Sequence, residues 1–263
     1  MQPDLSAKNL NVTSLISVGQ HPKSGRARRA EQDARAVELG LNLSGDQLEM
    51  LHVGAGDEAV MRSYLGMGLP KMTLLKQDDS ADAVPVLCDY LASHAPDILL
   101  TGVRAESGEA SGMLPFLLAE KLGWPLVSRI AEIGDVNDGV AEVLQALPRG
   151  QRRAIKVRLP FVASVDNAAA EPRQSAFGPG QRAGINDMPV AGDVDAVRSG
   201  WEESPARKKP KRLKVVKAKT AADRFKAATA KASGGGGKVL KKESPAEQAQ
   251  AVLDLLIEEG VVR

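Results

Sequence analysis

The residues best suited to chemistry in this chain are glycines and small hydroxyls. Gly102 to Gly112 reads GVRAESGEASG and offers Ser107, Gly108, Ser111 and Gly112 just ahead of a helical pattern. Glycine lets backbone approach a ligand closely, and N–H groups with small hydroxyls at a helix entrance can cradle one phosphate. Two other glycine turns follow apolar runs, Gly19-Gln20 and Gly54-Ala55-Gly56. At the latter, Asp57 is placed to cap the next helix, which makes an anion there less favourable. The Gly102–Gly112 stretch also reads as a flexible connection. Arg26, Arg28 and Arg29 either supply charge to a phosphate or face water. Neither a GxGxxG fingerprint nor a GxxxxGK[ST] loop occurs, so dinucleotide binding and nucleotide hydrolysis have no motif behind them. The three histidines (His21, His52, His94) are scattered, and the lone Cys88 reads as a buried helix residue. No acid, base and nucleophile set is discernible, and no metal site.

These loops need a scaffold, and the apolar periodicity supplies one. Strands are expected at 12–18, 48–53, 71–75 and 97–101. Between them lie helical patterns at 27–40, from Asp57 to Leu65, and from Ser80 or Asp82 to about His94, with another at 112–122. Strands alternating with helices of this length imply βαβ units, a parallel sheet and helices on both faces. After Trp124-Pro125 the pattern changes to strands with short links at 128–133, 140–146, 153–159 and 161–165. These are expected to complete the sheet as antiparallel or edge strands. The fold class is therefore α/β, a mostly parallel Rossmann-like sheet of the adenine-nucleotide-binding type.

Three zones follow: a domain over 1–185, an extended arm over 186–245 and a C-terminal helix over 246–263. The arm is rich in Pro, Gly, Lys and Ala. The helix begins with a capping-box pattern, Ser244, Pro245 and Glu247, and carries a stripe of Ala249, Val252, Leu255 and Leu256 that needs a surface to bury against. The net charge of +2 conceals an asymmetry: residues 1–200 carry net −5, residues 201–242 net +11 and residues 243–263 net −4. A basic run of this kind reads as a solvated linker or an interaction arm, with nucleic-acid binding as a rival class. The start is polar and no apolar run approaches the ~20 residues of a membrane span, so a cytoplasmic location is expected.

The stretch from Lys156 to Ala183, KVRLPFVASVDNAAAEPRQSAFGPGQRA, has a distinctive order. It runs apolar strand, Leu159-Pro160, apolar strand, Val165-Asp166, Glu171-Pro172-Arg173, a small pair, Phe177, then Arg182-Ala183. This order resembles the signature region of the electron-transfer flavoprotein beta subunit. Leu99 to Ala105, Leu65 to Gly68 and Leu118 to Pro125 are similar to further blocks of that family, as are Arg212–Lys217 and the C-terminus. The hairpin that precedes the first helix in the family reads as nearly absent, and the Thr220–Gly237 insertion is long.

The resemblance implies an electron carrier that pairs with an alpha subunit and is not an enzyme in its own right. It would accept electrons from a flavin-dependent dehydrogenase and pass them to an acceptor such as a quinone oxidoreductase. FAD would be held mainly by the alpha subunit. The segment Glu171, Pro172, Arg173 and Phe177 would grip partner proteins. Glu171 and Arg173 would also pair or hydrogen-bond to fix the exit of that loop. The loop carrying Ala105, Ser107, Gly108, Ser111 and Gly112 would wrap the phosphate of an AMP, with Ser17 and Val18 at the adenine and Gly54 on the adjoining loop. Whether that site holds AMP, a second FAD or nothing stays open. A nucleotide-binding enzyme on the same fold is the remaining rival.

Overall fold

The computed structural model describes residues 10–78, 80–202, Ser204, 220–222, Phe225, Leu240 and 243–258. The chain divides into two compact units at Gly200 and Trp201. In the first, β1 (Val12–Leu15) is followed by a hairpin of β2 (Val18–Gln20) and β3 (Ala27–Arg29), then by α1 (Glu31–Ser44). Next come β4 (Glu49–Gly54), α2 (Glu58–Leu65), β5 (Lys71–Lys76), α3 (Ala83–His94), β6 (Ile98–Gly102) and α4 (Leu114–Leu122). Then follow β7 (Leu126–Asn137), β8 (Val140–Ala146), β9 (Arg152–Arg158), β10 (Phe161–Val165), α5 (Phe177–Arg182) and β11 (Gly184–Pro189).

Nine strands form one sheet in the order β11-β5-β4-β1-β6-β10-β7-β8-β9. The seven strands from β11 to β7 are parallel, and β8 and β9 extend the β7 edge antiparallel. Period-two alternation explains how the sheet is covered on both faces. Ile98, Leu100, Phe161, Ala163 and Val165 point into one core with Val37 and Leu41 of α1 and Val60, Met61 and Tyr64 of α2. Leu15, Leu51, Leu75, Leu99 and Val162 point into the other, with Val84, Leu87 and Leu91 of α3 and Leu118 and Ala119 of α4. Aspartates start two helices: Asp57 accepts from Val60 N–H at 3.0 Å and Asp82 from Val84 N–H at 2.9 Å.

Several expectations are corrected. The first strand stops at Leu15, and the hairpin that read as nearly absent is present as β2–β3. Its Arg28 is held by Glu106 from a loop 78 residues away, a contact no local pattern reveals. The first helix accordingly starts at Glu31 and runs through Gly40 to Ser44. β10 is neither antiparallel nor at an edge. It lies parallel between β6 and β7 with all five residues buried, as its unbroken apolar run requires. Residue 185 falls inside β11, which pairs parallel with β5 along its whole length. The basic connector, including Arg212–Lys217 and most of Thr220–Gly237, lies outside the described residues.

In the second unit, α6 (Pro245–Glu258) starts with the expected capping box. Ser244 N–H and Oγ–H both donate to Glu247 Oε2 at 2.8 Å, and Glu247 N–H returns to Ser244 Oγ at 3.4 Å. Val252, Leu253, Leu255 and Ile257 are exposed.

Candidate functional site

The chain order reverses direction across the sheet between β1 and β6. There two neighbouring strands send their connections to opposite sides, and a crevice opens beyond their carboxyl ends. A cavity of about 280 Å³ occupies this point. Its floor is Leu15 at the end of β1, Ile16 and Ser17 just after it, and Thr101 and Gly102 at the end of β6. Its walls include Arg104, Ala105, Ser107, Ser111 and Gly112 from the β6–α4 loop, Asp82 and Val84 at the start of α3, and Asp195 and Arg198. That size lies near the lower end of the ~300–1,000 Å³ typical of small-molecule sites.

The loop is shaped for close approach. Gly112 has φ +76°, and a Cβ there would lie 2.9 Å from the Val103 carbonyl oxygen, so glycine is required. Ser107 Oγ donates to the Val18 carbonyl at 2.7 Å, which ties the loop to the hairpin. Glu106 is the second tie: it accepts from Gln20 N–H, Arg28 and Glu31 N–H, closing the hairpin and satisfying the N-terminus of α1. At the entrance to α4, Met113 supplies no side-chain cap.

Beneath the cavity, Asp33 of α1 joins the two strands. Its Oδ2 accepts from Ser17 N–H and Oγ–H, and its Oδ1 accepts from Gly102 N–H at 3.1 Å. Burial pushes Asp33 up to about 6, against the opposing pull of the donors from Ser17 and Gly102. The end of β1 is clamped elsewhere too. His52 Nδ1–H donates to the Ile16 carbonyl at 2.8 Å, and Tyr64 Oη–H to the Ser17 carbonyl at 3.0 Å. Tyr64 itself accepts from Ala30 N–H, and burial raises its phenol well above the usual value.

A second constellation lies on the far side of α1. Arg173 pairs with Glu38 in a fork, Nε to Oε2 at 2.8 Å and Nη2 to Oε1 at 2.9 Å, and its backbone N–H donates to Oε2 at 3.0 Å. The Arg173 guanidinium and amide hold the Glu38 carboxyl below its ordinary range. The chain then docks on the end of α2, where Ala176 N–H donates to the Gly66 carbonyl at 2.8 Å. Arg62 Nη1 donates to the carbonyls of Gly180, Gln181 and Ala183. At the tip of this fixed turn Phe177 is 81% exposed. Glu171 and Pro172 precede it; Arg173 finds its carboxylate on α1, not at Glu171.

A sequence profile of the electron transfer flavoprotein domain matches residues 24–193. An electron transfer flavoprotein subunit beta of Chromohalobacter salexigens is 51% identical over the whole of both chains. The chain belongs to the electron transfer flavoprotein family. A putative electron transfer flavoprotein subunit, YgcR, of Escherichia coli is 27% identical over 51% of this chain and 54% of its own length. Kinship of this extent with a beta subunit makes the chain an electron-transfer subunit and sets aside the rival readings as a nucleotide enzyme or a nucleic-acid protein.

Within this flavoprotein subunit, Ser17, Ala105, Ser107, Ser111 and Gly112 are brought together around one cavity. Val18, Gly54 and Gly108 are not among its lining residues. Val18 instead accepts from Ser107, and the Gly54 carbonyl from Gln77 N–H. Arg28 is bound to Glu106 and Arg29 donates to the Arg173 carbonyl, and neither they nor Arg26 line the cavity. The guanidinium groups that do are Arg104 and Arg198. Asp33, Thr101 and Arg198 were not anticipated. The available signal for Asp33 was its place one turn ahead of Val37, on the apolar face of the first helical pattern. Among the described residues, no helix is long and apolar enough to cross a membrane, and no His, Cys, Asp and Glu group could hold a metal.

Proposed function

We propose that this subunit presents Phe177 to a flavin-dependent dehydrogenase, braces a flavin held mainly by an alpha subunit, and holds an adenine mononucleotide between β1 and β6. When bound, FAD would supply the electron storage between a flavin-dependent dehydrogenase and a downstream acceptor such as a quinone oxidoreductase. The chain's own residues position and dock.

The observation that carries the docking role is the contrast at Phe177: a large apolar ring left in solvent on a turn that is otherwise tied down. Ordering such a turn beforehand lowers the entropy lost on association, and buried aromatic anchors dominate small interfaces. For the nucleotide, the cavity's hydroxyls, glycine turn and Arg104 suit a phosphate beside the lining's carboxylates, and Leu15, Ile16 and Leu114 suit a base and sugar. Its size favours a mononucleotide such as AMP over a second FAD.

Phe177→Ala in the purified heterodimer is expected to slow reduction by the dehydrogenase at least about ten-fold, as for a hot-spot truncation. The flavin content should stay that of the unmodified protein. Stopped-flow reduction reads the rate and the visible spectrum reads the flavin. Equal rates would remove the docking role.

A further inference from the structure

The sheet face covered by α3 and α4 carries an apolar surface left in solvent. Apart from Phe177 and Met188, every large apolar side chain exposed among the described residues of the first unit lies there. They are Met113, Phe116 and Leu117 at the start of α4, and Val194 and Val197 after β11, between 41% and 71% exposed. Met113, Phe116 and Leu117 recur at i, i+3 and i+4, so one face of the helix start presents them together. The opposite side of α4 is already filled, with Leu118 and Ala119 buried in the second core. The two groups meet at one opening. Met113 and Leu117 line the β1–β6 cavity together with Asp195 and Arg198, the sequence neighbours of Val194 and Val197. Contiguous exposed apolar area of this kind marks an interaction surface.

The residues after β11 are exposed without being loose. Val190 packs against the second core, and its N–H donates to the Lys76 carbonyl at 3.0 Å. Asp82 N–H donates to the Asp193 carbonyl at 2.9 Å and Asp195 N–H to the Ser80 carbonyl at 3.1 Å, while Val194 bridges Ala81. Asp195 Oδ1 then accepts from Val197 and Arg198 N–H at 3.0 Å each. A backbone pinned in this way holds Val194 and Val197 in place before any partner arrives, which lowers the entropy lost on association. The surface is continuous with the point where the chain leaves the first unit, after Gly200, for the connector of net charge +11. Phe177 stands on the other sheet face, on the turn docked to α2. A carrier subunit that keeps one partner and meets another in passing needs two surfaces that do not overlap. Of the two, the lasting interface is the broader and more apolar. We propose that Met113, Phe116 and Leu117, with Val194 and Val197, form the docking surface for the alpha subunit, which leaves the Phe177 turn uncovered. The proposal rests on the alpha-subunit partnership that family membership implies, and it is independent of what the cavity holds.

The test uses the co-expressed heterodimer with the photo-crosslinker p-benzoylphenylalanine in place of Phe116, an aromatic-for-aromatic change at an exposed position. Illumination should join the chain to the alpha subunit, with the link placed at residue 116 by mass spectrometry. A second measurement reads affinity. Phe116→Glu and Val197→Glu each put a carboxylate on the proposed interface. Each is expected to raise the concentration at which the heterodimer half-dissociates by at least about ten-fold, read by sedimentation velocity over a dilution series. A crosslink to a second copy of this chain, an intact heterodimer with no crosslink to the alpha subunit, or an unchanged dissociation midpoint in either variant would overturn the proposal. An unmodified chain that forms no heterodimer would overturn the partnership itself, a result separable from the others.

Discussion

At the residue scale, Asp33 has the most consequential electrostatics. It is 5% exposed and joins β1 to β6 through Ser17 and Gly102. Burial raises its carboxyl from 3.8 to about 6, so the folded state holds its proton more tightly than the unfolded chain does. Stability from this group is therefore full at low pH and falls as pH rises between about 4 and about 6. Glu38 works in the opposite sense. Its value is lowered, so its contribution is present above the ordinary glutamate range and is lost as pH falls through the lowered value. Asp33→Asn separates the two. Urea unfolding should show the stability of the unmodified protein declining by roughly 2–3 kcal/mol relative to Asp33→Asn between about pH 4 and about pH 7.5. A difference that stays flat with pH would mean that Asp33 is not desolvated as its burial implies. The sequence made the cavity's serines and glycines legible because small residues before a helix form a local pattern. It concealed Arg198, whose position depends on pairings of its segment with Lys76 and Ser80–Asp82, ahead of α3 and more than 100 residues away in the chain.

At the element scale, the alternation from β4 to α4 was legible almost throughout, since long periodic segments carry their own signal. What failed was short or far-paired. β2 and β3 have three residues each, too few for a period, and their register is fixed by Glu106. β11, GINDMP, is an edge strand with mostly exposed residues, so it lacks the apolar alternation that marks a half-buried strand. The docking turn depends on such far pairing as well. Gly66 has an ordinary helical φ of −61°, so its backbone would accept any residue. The constraint is space: a Cβ there would meet Ser175 Oγ at 2.2 Å and the Ala176 carbonyl oxygen at 2.8 Å. Gly66→Ala is expected to push the turn off α2 at a cost of about 1–3 kcal/mol, as overpacking does. Tryptic cleavage after Arg173 and Arg182 should accelerate, and reduction by the dehydrogenase should slow with Phe177 still in place. Unchanged cleavage would show that the turn is not held by this contact.

At the scale of the whole molecule, the charge asymmetry and the terminal helix were plain in the composition. Neither says what they meet. The helix α6 leaves Val252, Leu253, Leu255 and Ile257 exposed, apolar area that favours burial against another surface at ~25 cal/mol per Å². The connector's net +11 calls for an acidic counterpart. An alpha subunit is the partner that membership in this family implies, and burial of α6 on it is the expected outcome. The central claim, that this chain is the beta subunit of an electron-transferring heterodimer, is tested most directly by co-expression with its alpha subunit. Size-exclusion chromatography with in-line visible absorbance should then give one equimolar, yellow species in which the segment from Trp201 to Lys242 resists protease. A colourless, protease-resistant monomer that leaves the alpha subunit in a separate peak would contradict the account.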